Sequence, residues 1–114
     1  MIGLCLNVHP HLGPGLLESA YHQCLAYELS SAKIPFEMEK EIPIHYKDVY
    51  LNCGYRIDIL VDQKIILEIK SVESLMPIHE AQLLTYMKLA KMNIGLLINF
   101  NARTLKGSIR RFIL

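Results

Sequence analysis

The sequence contains no tryptophan and only three cysteines, Cys5, Cys24 and Cys53. They are odd in number, widely spaced and never in a Cys-x-x-Cys pair, which argues against a zinc site and against a disulfide framework. A reducing cytoplasm is the expected compartment. No apolar run approaches the roughly 20 residues needed to cross a bilayer, so no membrane association is expected. The opening "MIGLCLNVHPHLGPG" lacks a basic leader and a signal-cleavage pattern, so secretion is not expected either. There is no internal repeat, low-complexity tract or linker. Net charge is also scarce: at +1, no global field recruits a polyanion.

What is present suits one domain spanning residues 1–114, with 52% apolar and 20% charged residues. Charge is unevenly spread. Residues 1–50 carry three lysines against six acids (net −3), and residues 51–114 carry nine Lys and Arg against five acids (net +4). A basic half facing nucleic acid competes here with an ordinary solvated surface.

Ile2–Leu12 reads as a short helix. "GPG" at Gly13–Gly15 breaks it, and Pro14 is placed to open a helix over Gly15–Lys33. Within that helix Leu17, Ala20, Tyr21, Cys24 and Leu25 recur at helical spacing, and Pro35 ends the segment. The period then changes. Phe36–Tyr46, Val49–Cys53, Tyr55–Val61 and Lys64–Lys70 read as strands of an antiparallel meander, with turns at "KD" and "DQK". Pro77 opens a second helix over Ile78–Met92. "NIGLLINF" reads as a buried strand able to run parallel to an earlier one, and Ser108–Leu114 as an edge strand. The order αβββ(β)αβ(β) predicts an α/β fold, a mixed sheet flanked by helices.

Strand alternation predicts that Arg56, Asp58 and Leu60 share one face, with Ile57, Ile59 and Val61 on the other. In "KIILEIK", Ile66, Glu68 and Lys70 share a face. A short turn near Asp62–Lys64 would let Asp58 and Glu68 converge. Two carboxylates about 4 Å apart repel by roughly 4 kcal/mol at an effective dielectric near 20. A shared proton, Lys70 or a hard divalent cation could offset that. A buried ion pair of Glu68 with Lys70 or Arg56 competes on even terms. Glu18, Tyr21, His22, Leu25 and Leu29 form one helical stripe, where Glu18 is equally readable as an acid complementing the helix dipole. His79, Gln82, Leu83 and Tyr86 form another. Gln82 and Tyr86, one turn apart, either act on one target or bond a neighbouring strand.

In this order, Glu18, Asp58, "EIK" at Glu68–Lys70 and "QLLTY" at Gln82–Tyr86 resemble the PD-(D/E)XK nuclease superfamily. The trailing Gln-x-x-x-Tyr is similar to that of its RecB-type branch. "GLLESAY" (Gly15–Tyr21), "HEAQLLTY" (His79–Tyr86) and "GLLINFN" (Gly95–Asn101) resemble the small GxxExxY proteins, over nearly the whole chain. Ile57 stands where the superfamily name has proline. The resemblance implies a restriction-endonuclease-like αβββαβ core. It implies a catalytic set of Glu18, Asp58, Glu68, Lys70, Gln82 and Tyr86. Asp58, Glu68 and the Ile69 carbonyl would hold Mg2+ or Mn2+, with Glu18 joining directly or through water. Lys70 would touch the attacking water and the phosphate, and Gln82 and Tyr86 would orient water or backbone.

The implied activity is phosphodiester hydrolysis of nucleic acid, DNA rather than RNA. Carboxylates beside Lys70 hold its proton, so an electrostatic role is expected of it rather than that of a base. A non-catalytic module binding nucleic acid or a partner on the same fold is the competing expectation, and edge pairing into a homo-oligomer a further one. His79 reads as a helix cap ahead of a phosphate ligand. His9, His11, His22 and His45 form no metal-ligand spacing, while Lys88, Lys91, Arg103, Lys106, Arg110 and Arg111 could track a phosphate backbone.

Overall fold

A computed structural model of the protein describes Gly3, residues 14–103, residue 105 and residues 107–114. Apart from Gly3, the helix expected over Ile2–Leu12 lies outside the described residues. Helix α1 spans Glu18–Ser31. It is shorter than the expected Gly15–Lys33, because Gly15 sits at φ +93° and Leu17 is extended, with Lys33 at φ +57° beyond the other end. Strands follow at β1 Phe36–Glu41, β2 Ile44–Tyr46, β3 Val49–Leu51, β4 Arg56–Val61 and β5 Ile65–Lys70. Helix α2 (Pro77–Ala90), β6 (Ile94–Asn99) and β7 (Ile109–Ile113) complete the described chain.

The architecture is a mixed five-stranded sheet ordered β1-β4-β5-β6-β7, with β2-β3 as a separate hairpin. The expected meander is corrected at its first strand. Phe36–Tyr46 is two strands, divided between Glu41 and Ile44 where Pro43 has no amide to give a ladder. β1 therefore pairs with β4, and the hairpin is an excursion between them. The β4–β5 turn carries Asp62 and Gln63 both at positive φ, the conformation that matches a tight hairpin to strand twist. After β5 the chain crosses over through α2, so β6 runs parallel to β5, and β7 closes that edge antiparallel to β6.

Two apolar layers hold the helices. On one face Tyr21, Leu25 and Leu29 of α1 pack on Ile59, Val61, Leu67, Ile69, Leu96 and Ile98. On the other, Leu83, Tyr86 and Met87 of α2 pack on Ile57, Leu60, Ile66 and Leu97. Covered on both faces, the central strands are almost continuously apolar. Glu68 and the terminal Lys70 are the exceptions in β5. The predicted faces of β4 are corrected here: Ile57 joins Leu60 on the α2 side, while Ile59 and Val61 face α1. Alternation slips at Asp58, and the cause lies in how β4 and β5 separate.

Candidate active site

The β4–β5 ladder pairs Val61 with Ile65, Leu60 with Ile66 and Ile59 with Leu67, and ends there. β4 stays with β1 as far as Arg56, opposite Glu41, while β5 stays with β6 as far as Lys70, opposite Asn99. The sheet thus opens between its two central strands. The next facing residues, Asp58 and Glu68, fill the opening with side chains. The Asp58 amide donates to Glu68 Oε1 at 3.3 Å, and the Ile69 amide donates to Asp58 Oδ2 at 2.7 Å. Carboxylate oxygens stand where ladder carbonyls would be, so the backbone stays satisfied while the strands part. The other neighbour of β4 is distorted at the same level. Met38 pairs with Ile59 and Lys40 with Ile57, and the Glu39 step between them is skipped.

This arrangement crowds negative charge away from water. Glu68 is only 2% exposed. Burial, reinforced by the Asp58 charge, pushes its carboxyl up to about 8. Burial also raises Asp58, against the lowering effects of the Ile69 amide, His22 and Lys70. Each carboxylate uses one oxygen in these amide bonds. The second oxygen of each has no hydrogen bond among the described residues.

Lys70 ends β5 and donates from Nζ to Gln82 Oε1 at 3.3 Å, and Gln82 Nε2 donates to the Tyr86 hydroxyl at 2.9 Å. One turn of α2 therefore presents both groups to the lysine side of the opening. The buried ion pair of Glu68 with Lys70 or Arg56, the competing expectation, is not formed: Lys70 bonds Gln82, and Arg56 lies by Glu39 and Glu41, at 4.0 and 3.9 Å. Burial, then the Glu68 charge, raises the Tyr86 phenol. Glu18 stands apart. It begins α1, exposed, without a hydrogen bond or ion pair among the described residues, although its charge reaches both acids.

His22 is the residue that sequence reasoning left unassigned. Its Nε2 is buried without a hydrogen-bond partner and lies 3.6 Å from Asp58 Oδ2. The signal was its place on the Glu18 stripe, one turn further along. Asn99 and Asn101 are a second omission. Asn99 accepts from the Val72 amide at 3.1 Å and donates to the Val72 carbonyl at 2.9 Å, while Asn101 accepts from the Gly15 amide at 3.1 Å. Together with Tyr21 stacked on Phe100 at 4.5 Å, this latch ties the start of α1 to the ends of β5 and β6. The quoted motifs thereby gain physical content: Gly15 supplies a left-handed turn, Tyr21 the stack, and "NFN" the latch.

His79 is a cap, as expected, its Nδ1 accepting from the Met76 amide at 2.9 Å. The basic residues divide. Arg110 is paired with Glu80, and Arg111, adjacent on the same strand, points to the opposite face. Lys106 lies outside the described residues.

Divalent cations suit carboxylate and carbonyl oxygens. The fit here rests on two free carboxylate oxygens, crowded charge that a cation would relieve, and an orphaned imidazole nitrogen beside them. Among the described residues, no three His, Cys, Asp or Glu side chains are already gathered as a cation site.

A sheet parted at an acid pair, with a lysine two residues after the second acid, defines a nuclease-type domain. The family model of the PD-(D/E)XK nuclease superfamily matches residues 1–112, and the chain belongs to that superfamily. No curated protein and no solved structure matches the chain. Membership implies nucleic-acid binding and a nuclease-type function, and such nucleases typically use divalent metals. No helix among the described residues is long and apolar enough to cross a membrane.

Proposed function

We propose that the protein is a Mg2+- or Mn2+-dependent nuclease hydrolysing phosphodiester bonds, of DNA rather than RNA. We place it among the GxxExxY proteins of the RecB-type branch, acting as a single domain in the cytoplasm. The observation that carries this reading is the reciprocal amide–carboxylate bonding of Asp58 and Glu68 at the parting of β4 and β5. It holds two acids together at a cost, and a fold has no use for that without a cation or proton to share.

Asp58, Glu68 and the Ile69 carbonyl would hold the cation, with His22 completing the set and Glu18 contributing from the rim through water. When bound, the cation supplies Lewis acidity toward the phosphate and a more acidic water. Lys70 orients the attacking water and stabilises charge growing on the phosphoryl oxygens. Gln82 fixes the lysine head, and Tyr86 fixes Gln82.

The test is cleavage of plasmid and labelled oligonucleotides with Mg2+ or Mn2+. Wild type should outpace Asp58→Ala and Glu68→Ala by at least about 100-fold, the scale of losing an electrostatic catalytic group. Equal rates would leave the non-catalytic binding module, which predicts salt-sensitive binding that survives loss of both acids. Edge pairing of copies along β7, where Ile113 is exposed, belongs to the same proposal and is read by light scattering.

A further inference from the structure

Along α2, at Gln82 and Tyr86, lies a groove of ≈ 430 Å3 whose walls also include Ile44, Tyr55, Ile78 and Thr85. Among the described residues, no Lys, Arg, Asp or Glu lines it. It shares Gln82 and Tyr86 with the Lys70 hydrogen-bond chain, so it opens directly beside the reacting centre. Tyr55 is 41% exposed and tilts against Tyr86 with ring centroids 6.0 Å apart, and Ile78 is 69% exposed.

A second groove, also ≈ 430 Å3, meets the first at Leu89, which lines both. Its character is different. Among the described residues, Lys40, Lys88 and Lys91 line it against one acid, Glu41, with His45 and Tyr50 on the hairpin side. Those two rings stack at 4.5 Å.

An uncharged aromatic groove cannot track phosphates, but it can take the apolar face of a base. A base within a duplex has both faces covered by its neighbours, so only an unpaired one can enter. A lysine-lined continuation then suits the backbone of the same strand. We propose that the two grooves form one path for single-stranded nucleic acid, with an unpaired base against Tyr55 and phosphates over Lys88 and Lys91. The inference rests on the nuclease reading for its orientation, and it adds the substrate class. It also assigns a place to two members of the basic group in the sequence.

The test measures binding of fluorescein-labelled oligodeoxythymidylate and of a duplex of equal length in EDTA, where no cleavage occurs. The single strand should bind more tightly. Tyr55→Ala should weaken it roughly tenfold, as loss of one stacked base does, and Tyr55→Phe should retain it. Replacing Lys88 and Lys91 with alanine should make the fall of log affinity with log salt shallower, by about 0.7 for each phosphate no longer neutralised. Tyr55 is half exposed, so melting temperatures of all variants should match wild type. Duplex binding as tight as single-strand binding, or Tyr55→Ala binding like wild type, would overturn the path. Because no metal is present, the two readings fail separately. Tyr55-dependent binding without cleavage in Mn2+ sinks only the nuclease, and cleavage indifferent to Tyr55 and to strandedness sinks only the path.

Discussion

The Ile69 amide donates to the Asp58 carboxylate at 2.7 Å across the point where β4 and β5 part. This bond and its reciprocal, from the Asp58 amide to Glu68, explain both the opening in the sheet and the acids within it. They also mean that the acids are part of the fold. Changing one affects stability and chemistry, and the two effects run in opposite directions.

Glu68 shows this most clearly. Its carboxyl titrates at about 8 in the folded chain against an ordinary 4.5. Below the lower value both folded and unfolded chains hold the proton, and the favourable contribution is fully present. As pH rises from there, the unfolded chain releases its proton while the folded chain keeps it. Stability is lost until the folded group ionises near 8, by a few kcal/mol in order of magnitude. Asp58, raised by burial as well, adds in the same direction. In EDTA, Glu68→Gln should therefore melt above wild type at pH 8 and level with it at pH 4, while abolishing cleavage. A variant that melts below wild type at pH 8 would contradict this.

Lys70 sits near both acids and is held by a glutamine that fixes its position. Lys70→Arg should keep a substantial fraction of the cleavage rate, and Lys70→Ala should lose about 100-fold. The pH–rate profile should not move in Lys70→Arg. A shifted profile would make the lysine a base instead.

His22 has a buried nitrogen and no hydrogen-bond partner among the described residues. If it completes the cation site, His22→Ala should weaken Mn2+ binding roughly 10-fold or more, within the range seen when support around a metal is removed. Titration calorimetry measures this without any turnover. Unchanged affinity would make His22 a packing residue only.

Gly95 lets α2 close onto β6. A Cβ there would come within 2.6 Å of Met87 Sδ and 3.0 Å of Leu83 Cδ1. Gly95→Ala should cost about 1–3 kcal/mol, as overpacking does. It should also slow cleavage, because α2 carries Gln82 and Tyr86. Denaturant titration gives the first number.

Much of this was legible in the sequence. Glu68 interrupts an apolar strand, and that interruption marked both the strand and the candidate site. Pro77 opened α2, and a one-turn spacing put Gln82 and Tyr86 on one side of it. The failures came where side chains replace backbone partners. Alternation presumes an unbroken ladder, so it could not foresee that Asp58 would satisfy Ile69 and turn Ile57 toward α2. Phe36–Tyr46 alternates well enough to read as one strand, and only Pro43 marks where it divides. His22 meets Asp58 across two elements, and no spacing along the chain encodes that.

The most direct test is anomalous diffraction from a crystal soaked in manganese. The account predicts one peak at coordinating distance, about 2.0–2.6 Å from the oxygens of Asp58, Glu68 and the Ile69 carbonyl, with His22 turned toward it. A peak elsewhere, or acids still joined only to each other's strands in saturating manganese, would contradict it.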